Sequence, residues 1–228
     1  AVKASFNGED YSRVHQMILA SQRDDFMRKE PMDDHLFIDG FRTLSHHIGD
    51  ISHYSHIPTT QHKAKRLIEL MKSWFIAIEI AQLGSIPSQK FSPKRYLYDI
   101  GILRSYRELS IPKISLKNTI HELERTPLGG LIENAICLSL LARSNGVLPI
   151  TGWKKDKKHP IEVDFIVKNR DGSALPVEVK ASIRAQDKHT RSLCAYADRH
   201  APPIAVLVSL DRLQQLNVYR KTKIVNIP

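Results

Sequence analysis

Ile161-Glu162-Val163-Asp164-Phe165-Ile166-Val167, a turn around Asn169-Arg170-Asp171-Gly172-Ser173, and Leu175-Pro176-Val177-Glu178-Val179-Lys180 read together as a β-hairpin. Strand side chains alternate between faces. Strict alternation points Ile161, Val163, Phe165 and Val167 one way and Glu162, Asp164 and Ile166 the other. On the second strand Leu175, Val177 and Val179 share a face, and Glu178 and Lys180 share the opposite one. A turn centred on Asp171 sets Asp164 across from Glu178. Two carboxylates opposed on a ladder repel unless a cation lies between them.

Asp164 and Glu178 offer hard oxygen ligands, which suit Mg²⁺ or Mn²⁺. Lys180 lies two residues beyond Glu178, where an ammonium can orient a water or meet phosphate charge. That set suits metal-assisted hydrolysis of a phosphodiester. The spacing, Asp and then fourteen residues later Glu-x-Lys, resembles the PD-(D/E)XK nuclease superfamily. A solvated hairpin face with an ordinary Glu–Lys arrangement reads the same residues equally well.

At 228 residues the chain holds one large domain or two small ones. Its 42% hydrophobic content is ordinary for a globular protein. It contains no apolar run near the ~20 residues that span a bilayer and no secretory leader at its start. Cys137 and Cys194 have neither metal-ligand nor disulfide spacing, so a reducing, cytoplasmic setting is the expectation. The first residue is Ala, which reads as a piece of something longer. The net charge of +10 is uneven: residues 146–228 hold 15 Lys/Arg against 8 Asp/Glu, and residues 1–145 hold 19 against 16. A basic C-terminal half favours a polyanionic partner, most simply nucleic acid, with DNA preferred.

Residues 1–110 form the first expected region, helical over 11–85. Thr59 or Thr60 caps a helix that turns Ala64, Leu67, Ile68, Met71 and Trp74 inward and Lys63, Lys65, Arg66 and Lys72 largely outward. Strands are expected at Phe75–Ile80 and Arg95–Asp99. Short helices, a basic helix and two strands outline a winged helix, whose basic helix would enter a major groove. A helical module with a solvated basic face is the alternative. His46, His47, His53, His56 and His62 match neither zinc-finger nor H-E-x-x-H spacing and read as surface histidines.

A linker is expected over 111–128 and an α/β domain over 129–228. Gly129-Gly130 precedes a helix over Leu131–Ser144, stopped at Asn145-Gly146. Strands follow at Val147–Trp153, Ile161–Val167 and Ala174–Lys180, then a helix near Thr190–Arg199 and a buried strand over Ile204–Leu210. Val218 and Ile224–Ile227 suggest a last edge element. Glu133 borders the apolar stripe of Ile136, Cys137, Leu140 and Leu141, where a carboxylate is costly unless exposed or paired. A glutamate favoured by the helix dipole in the first turn is the simpler reading of Glu133 alone.

Several stretches together resemble a C-terminal domain of largely undefined function that follows an AAA+ ATPase module in many bacterial and archaeal proteins. They are Tyr96-Leu97-Tyr98-Asp99-Ile100-Gly101-Ile102-Leu103, Gly130-Leu131-Ile132-Glu133-Asn134, Trp153, Glu162-Val163-Asp164-Phe165, Val177-Glu178-Val179-Lys180-Ala181 and Ser192-Leu193. The likeness runs from about Asp24 to the end. It implies a winged-helix-like segment joined to a PD-(D/E)XK restriction-endonuclease-like core with a mixed sheet flanked by helices. It also implies an N-terminal P-loop ATPase as partner, and no G-x-x-x-x-G-K-[ST] occurs in this chain. Val163 stands where the superfamily's name has Pro.

Carried over by position, Glu133, Asp164 and Glu178 are the metal ligands, and Asp164, Glu178 and Lys180 the catalytic residues. Lys154, Lys155, Lys157, Lys158 and Arg184, with Lys63, Lys65 and Arg66, would hold nucleic-acid phosphates, which position a backbone without reading sequence. The competing expectation is a catalytically inactive DNA- or protein-binding module that serves the ATPase. A regulatory or oligomerising lid is the third. No membrane partner is expected, and self-association is compatible with all three.

Overall fold

The structure is a computed structural model that describes residues 11–30, 32–86, 88–89, 91–107, 122–144, 149–158, 161–212, 214 and 216–228. The Asn145-Gly146 helix stop and residues 111–121 of the expected linker lie outside the described residues. The chain divides into two compact units, Ala1–Glu79 with Arg95–Ile111, and Ile80–Lys94 with Pro112–Pro228.

The first unit contains helices α1 (Tyr11–Lys29), α2 (Asp34–His46), α3 (Gln61–Ser73) and α4 (Ile100–Tyr106). Strands β1 (Ala77–Ile80) and β3 (Lys94–Leu97) form a two-stranded sheet, whose Ile80 and Lys94 belong to the second unit. Three helix starts are fixed by side-chain caps. Asp33 accepts from His35 N, Thr60 from Lys63 N and Asp99 from Ile102 N. Helix α3 buries Ala64, Leu67, Ile68 and Met71, as the period-3.6 reading requires, while Lys63, Lys65 and Arg66 are exposed. Trp74 follows the helix, half-buried, with its ring 5.6 Å from Phe26. The Arg95 guanidinium is buried, bonds Glu79 and the Ser52 carbonyl, and stacks 4.7 Å from the Tyr54 ring centroid. His47, His53 and His56 cluster, with the His47 and His56 rings stacked at 4.2 Å.

Gly40 lets α2 approach α3 closely. A Cβ there would collide with Leu67 Cδ2, inside the fully buried core. Gly40→Ala is therefore expected to lower stability by roughly 1–3 kcal/mol through overpacking, as measured by urea unfolding.

The second unit is built on a mixed seven-stranded sheet of order β2-β4-β5-β6-β7-β9-β8. Its strands are β2 (Gln82–Gly84), β4 (Ile150–Lys154), β5 (Glu162–Lys168), β6 (Ala174–Lys180), β7 (Ile204–Ser209), β8 (Leu216–Tyr219) and β9 (Thr222–Ile227). Helix α5 (Glu122–Ser144) and helix α6 (Arg191–His200) both pack on β5 and β6. Trp153, Val163, Ile166, Leu193, Tyr196, Ala205, Leu207 and Ile224 form a buried cluster between α6 and the sheet.

Three features depart from the sequence reading. Gly129 and Gly130 lie inside α5, which starts before them. Residues 82–84, expected in the N-terminal region, form the edge strand β2 parallel to β4. Strict alternation fails along β5, because Trp153 pairs with Val163 while Thr151 pairs with Ile166. Three steps of β5 thus oppose two of β4, a bulge at Asp164 and Phe165 that brings Ile166 into the same cluster as Val163.

A carboxylate centre closed by lysine

The hairpin turn is the expected one. Asn169 N donates to the Ser173 carbonyl at 2.8 Å, and Gly172 has φ 83°, a conformation glycine adopts without a Cβ penalty. The β5–β6 ladder runs from Lys168 and Ala174 to Phe165 and Val177, and it stops one step short of Asp164 and Glu178. At that point the bulge replaces a backbone bond with a side-chain bond, in which Val179 N donates to Asp164 Oδ2 at 2.9 Å. Asp164 and Glu178 are both buried, 4% and 2% exposed. Bulges of this kind re-aim a side chain next to a site.

The cation at this centre is Lys94. Its ammonium lies 2.8 Å from Asp164 Oδ1, 3.0 Å from Glu133 Oε1 and 3.2 Å from Glu162 Oε1. The side chain is 1% exposed. An ammonium has three donors, and here each has a carboxylate oxygen within reach. Lys154 Nζ binds the second oxygen of Glu162 at 2.7 Å. Lys180 Nζ binds Glu178 Oε1. Glu178 Oε2 is buried.

These contacts set the protonation states. Burial pulls Lys94 down, but the charges of Asp164, Glu133 and Glu162 outweigh it and hold it well above the ordinary lysine value. Burial pushes Asp164 up, and Lys94, Lys180 and the Val179 N–H outweigh that, leaving it below the usual carboxylate range. Burial and the Asp164 charge push Glu178 up to about 8, against the weaker opposing pull of Lys180 and Ser192. Lys94 thus meets Asp164, Glu133 and Glu162, Lys154 meets Glu162, and Lys180 meets Glu178.

Glu133 and Asp164 share the Lys94 ammonium, and Glu178 and Lys180 pair beside them. As arranged, they do not fit a divalent cation. Lys94 fills the space between the oxygens of Asp164, Glu133 and Glu162. Among the described residues no group of three or more His, Cys, Asp or Glu side chains is placed to hold a metal ion. The sequence reading missed Lys94 and Glu162. Of the expected phosphate-binding residues, Lys154 is committed to Glu162, while Lys155, Lys157, Lys158 and Arg184 are exposed. Among the described residues no helix is long and apolar enough to cross a membrane.

Residues 128–228 match the family described as Domain of unknown function (DUF4143). No curated protein matches the chain. A chain in the solved "Refined half-complex from tetradecameric assembly of Thermococcus gammatolerans McrB AAA+ hexamers with bound McrC" is similar at 16% identity and a TM-score of 0.36. The likeness covers 44% of this chain and 27% of that one.

Proposed function

We propose that this chain is the nucleic-acid-binding part of an ATPase-family protein, built on a nuclease-like α/β scaffold whose carboxylate centre does not hydrolyse in this state. The observation behind the reading is the buried Lys94 ammonium among Asp164, Glu133 and Glu162. A buried ammonium held by three carboxylates occupies the point that a divalent cation would need. Exposed Lys155, Lys157, Lys158 and Arg184, on a chain of net charge +10, suit sequence-independent phosphate contacts. The basic face of α3, with Lys63, Lys65 and Arg66, adds to them in the winged-helix reading of the first unit. The ATPase partner rests on the sequence resemblance to a domain that follows an AAA+ module.

The test is nucleic-acid binding measured in EDTA across a salt series, with cleavage followed in parallel in Mg²⁺ or Mn²⁺. Expected are metal-independent binding that weakens steeply with salt and no cleavage. Replacing Lys155, Lys157, Lys158 and Arg184 by alanine is expected to weaken binding about tenfold or more and to flatten the salt slope. Binding unchanged by that variant would remove these residues from the interface.

A second reading, metal-dependent phosphodiester hydrolysis with Asp164, Glu178 and Lys180 as catalytic residues and Glu133 as a further ligand, is favoured by the convergence of those four side chains on one centre. It requires Lys94 to leave. Cleavage by the unaltered chain that is lost in Asp164→Asn would establish it.

A further inference from the structure

The two edges of the seven-stranded sheet are built differently. At one end β2 is three residues long and runs parallel to β4. At the other end β8, Leu216-Asn217-Val218-Tyr219, keeps an unbroken antiparallel register with β9, and among the described residues it pairs with no other strand. An edge strand leaves a row of backbone N–H and C=O groups unpaired, and folds guard such a row with a charge, a proline or a bulge. Strand β8 has none of these.

The register also fixes which side chains stand beside that row. Leu216 pairs with Val225 and Val218 with Lys223, so both lie on the sheet face opposite Ile224, whose side chain joins the cluster under α6. They are 61% and 67% exposed. Charge at this end of the sheet is equally one-sided. Residues 204–228 hold Arg212, Arg220, Lys221 and Lys223 against one acid, Asp211. Asp211 is buried and accepts from Ala185 N, whereas the four cations are exposed. Arg220 also pairs with Asp198 of α6. Strand β8 is thus an open, uncharged, apolar edge with cations before it and after it.

We infer that β8 is a docking edge for an extended acidic segment of a partner protein. The segment adds to the sheet as a further strand, sets apolar side chains beside Leu216 and Val218, and brings carboxylates to Arg212, Arg220, Lys221 and Lys223. In strand addition the main-chain bonds supply affinity and alternate side chains supply selectivity, and β8 offers both. A second copy of this chain fits less well. Antiparallel pairing of two β8 strands would turn the Arg212 end of each toward the Arg220 and Lys221 end of the other, and like charges so opposed repel. A nucleic acid would use the cations and leave the backbone row and the two apolar side chains unmatched. The inference goes beyond the nucleic-acid reading above and uses none of the residues assigned to it.

The test is fluorescence anisotropy of a labelled peptide of about ten residues that alternates valine and glutamate, titrated with the whole chain. Saturable binding that weakens with salt is expected. Methylating the peptide's backbone nitrogens removes its donors and keeps every side chain, and is expected to weaken binding about tenfold or more. This comparison needs no protein variant. Leu216→Ser with Val218→Ser, both at exposed positions, is expected to weaken binding by a similar factor, as is a peptide with lysine in place of glutamate. No saturable binding, or equal binding of the methylated or the lysine peptide, would overturn the proposal. So would a dimer in sedimentation that the serine variant abolishes, which would give the edge to a second copy, or duplex DNA binding lost in that variant, which would give it to nucleic acid. The alanine variant of Lys155, Lys157, Lys158 and Arg184 is expected to bind the peptide as the parent does. Loss of nucleic-acid binding in that variant alone therefore leaves the docking edge standing, and failure of the peptide alone leaves the proposed function standing.

Discussion

Lys94→Ala is expected to destabilise the protein by about 3–5 kcal/mol in metal-free buffer, because removing one partner of a buried ion pair strands the other. Here the groups that lose the Lys94 ammonium are Asp164 and Glu133, 4% and 9% exposed, with Glu162 still paired to Lys154 and Asp164 still bonded by Val179 N. Lys94→Met should lose nearly as much, since the deficit is one of charge rather than volume. A surface lysine such as Lys157 provides the comparison, with an expected change within about 0.5 kcal/mol. Guanidinium unfolding in EDTA measures all three. A Lys94→Ala protein as stable as the parent would mean that the carboxylates have another source of positive charge.

The second large effect is the contribution of Glu178 to the pH dependence of stability. Its folded pKa, about 8, lies above its ordinary value, so the folded state binds a proton that the unfolded chain releases. That contribution is complete below the ordinary glutamate range near 4.5 and is lost as pH rises to about 8. Stability should therefore fall across this window. Asp164 and Glu162 are held low, so their contributions are lost only as pH drops below the usual carboxylate range. Lys94 and Lys180 are held high and contribute until alkaline pH. Within this window the slope from Glu178, at most ~1.4 kcal/mol per pH interval of one for a single proton, is opposed at its acid end by His56 and His200, which burial holds below the ordinary histidine value. Glu178→Gln keeps the shape, removes the titration, and is expected to flatten the profile and raise stability at pH 8 by a few kcal/mol. A variant with the parent's slope would assign the titration elsewhere.

Local signals made much of this legible from sequence. The hairpin followed from alternation and from Asp171-Gly172, and α3 followed from its apolar period and the Thr60 cap. The meeting of Asp164, Glu178 and Lys180 followed from the turn. Glu133 was suggested by its place on an apolar stripe.

Lys94 was not legible. In Ser92-Pro93-Lys94-Arg95 it reads as an ordinary exposed lysine, because lysine is almost never fully buried unless paired. Its partners lie 39 and 70 residues away, beyond any periodicity. The bulge at Asp164 was equally hidden, since strict alternation assumes an uninterrupted pleat. The glycines at 129 and 130 argued for a helix start, yet α5 continues through them. A Cβ at Gly129 would meet only Ala181 Cβ, at 4.0 Å, so close packing does not demand glycine there. Residues 82–84 were too short to read as a strand and gain that role only by pairing with Gly152, Trp153 and Lys154.

The most direct test of the closed centre is anomalous diffraction from crystals of the unaltered chain grown in millimolar Mn²⁺. Predicted is density for the Lys94 ammonium among Asp164, Glu133 and Glu162, with no anomalous peak between them. A manganese peak at that point, with the lysine displaced, would contradict the closed centre and restore the metal-dependent reading.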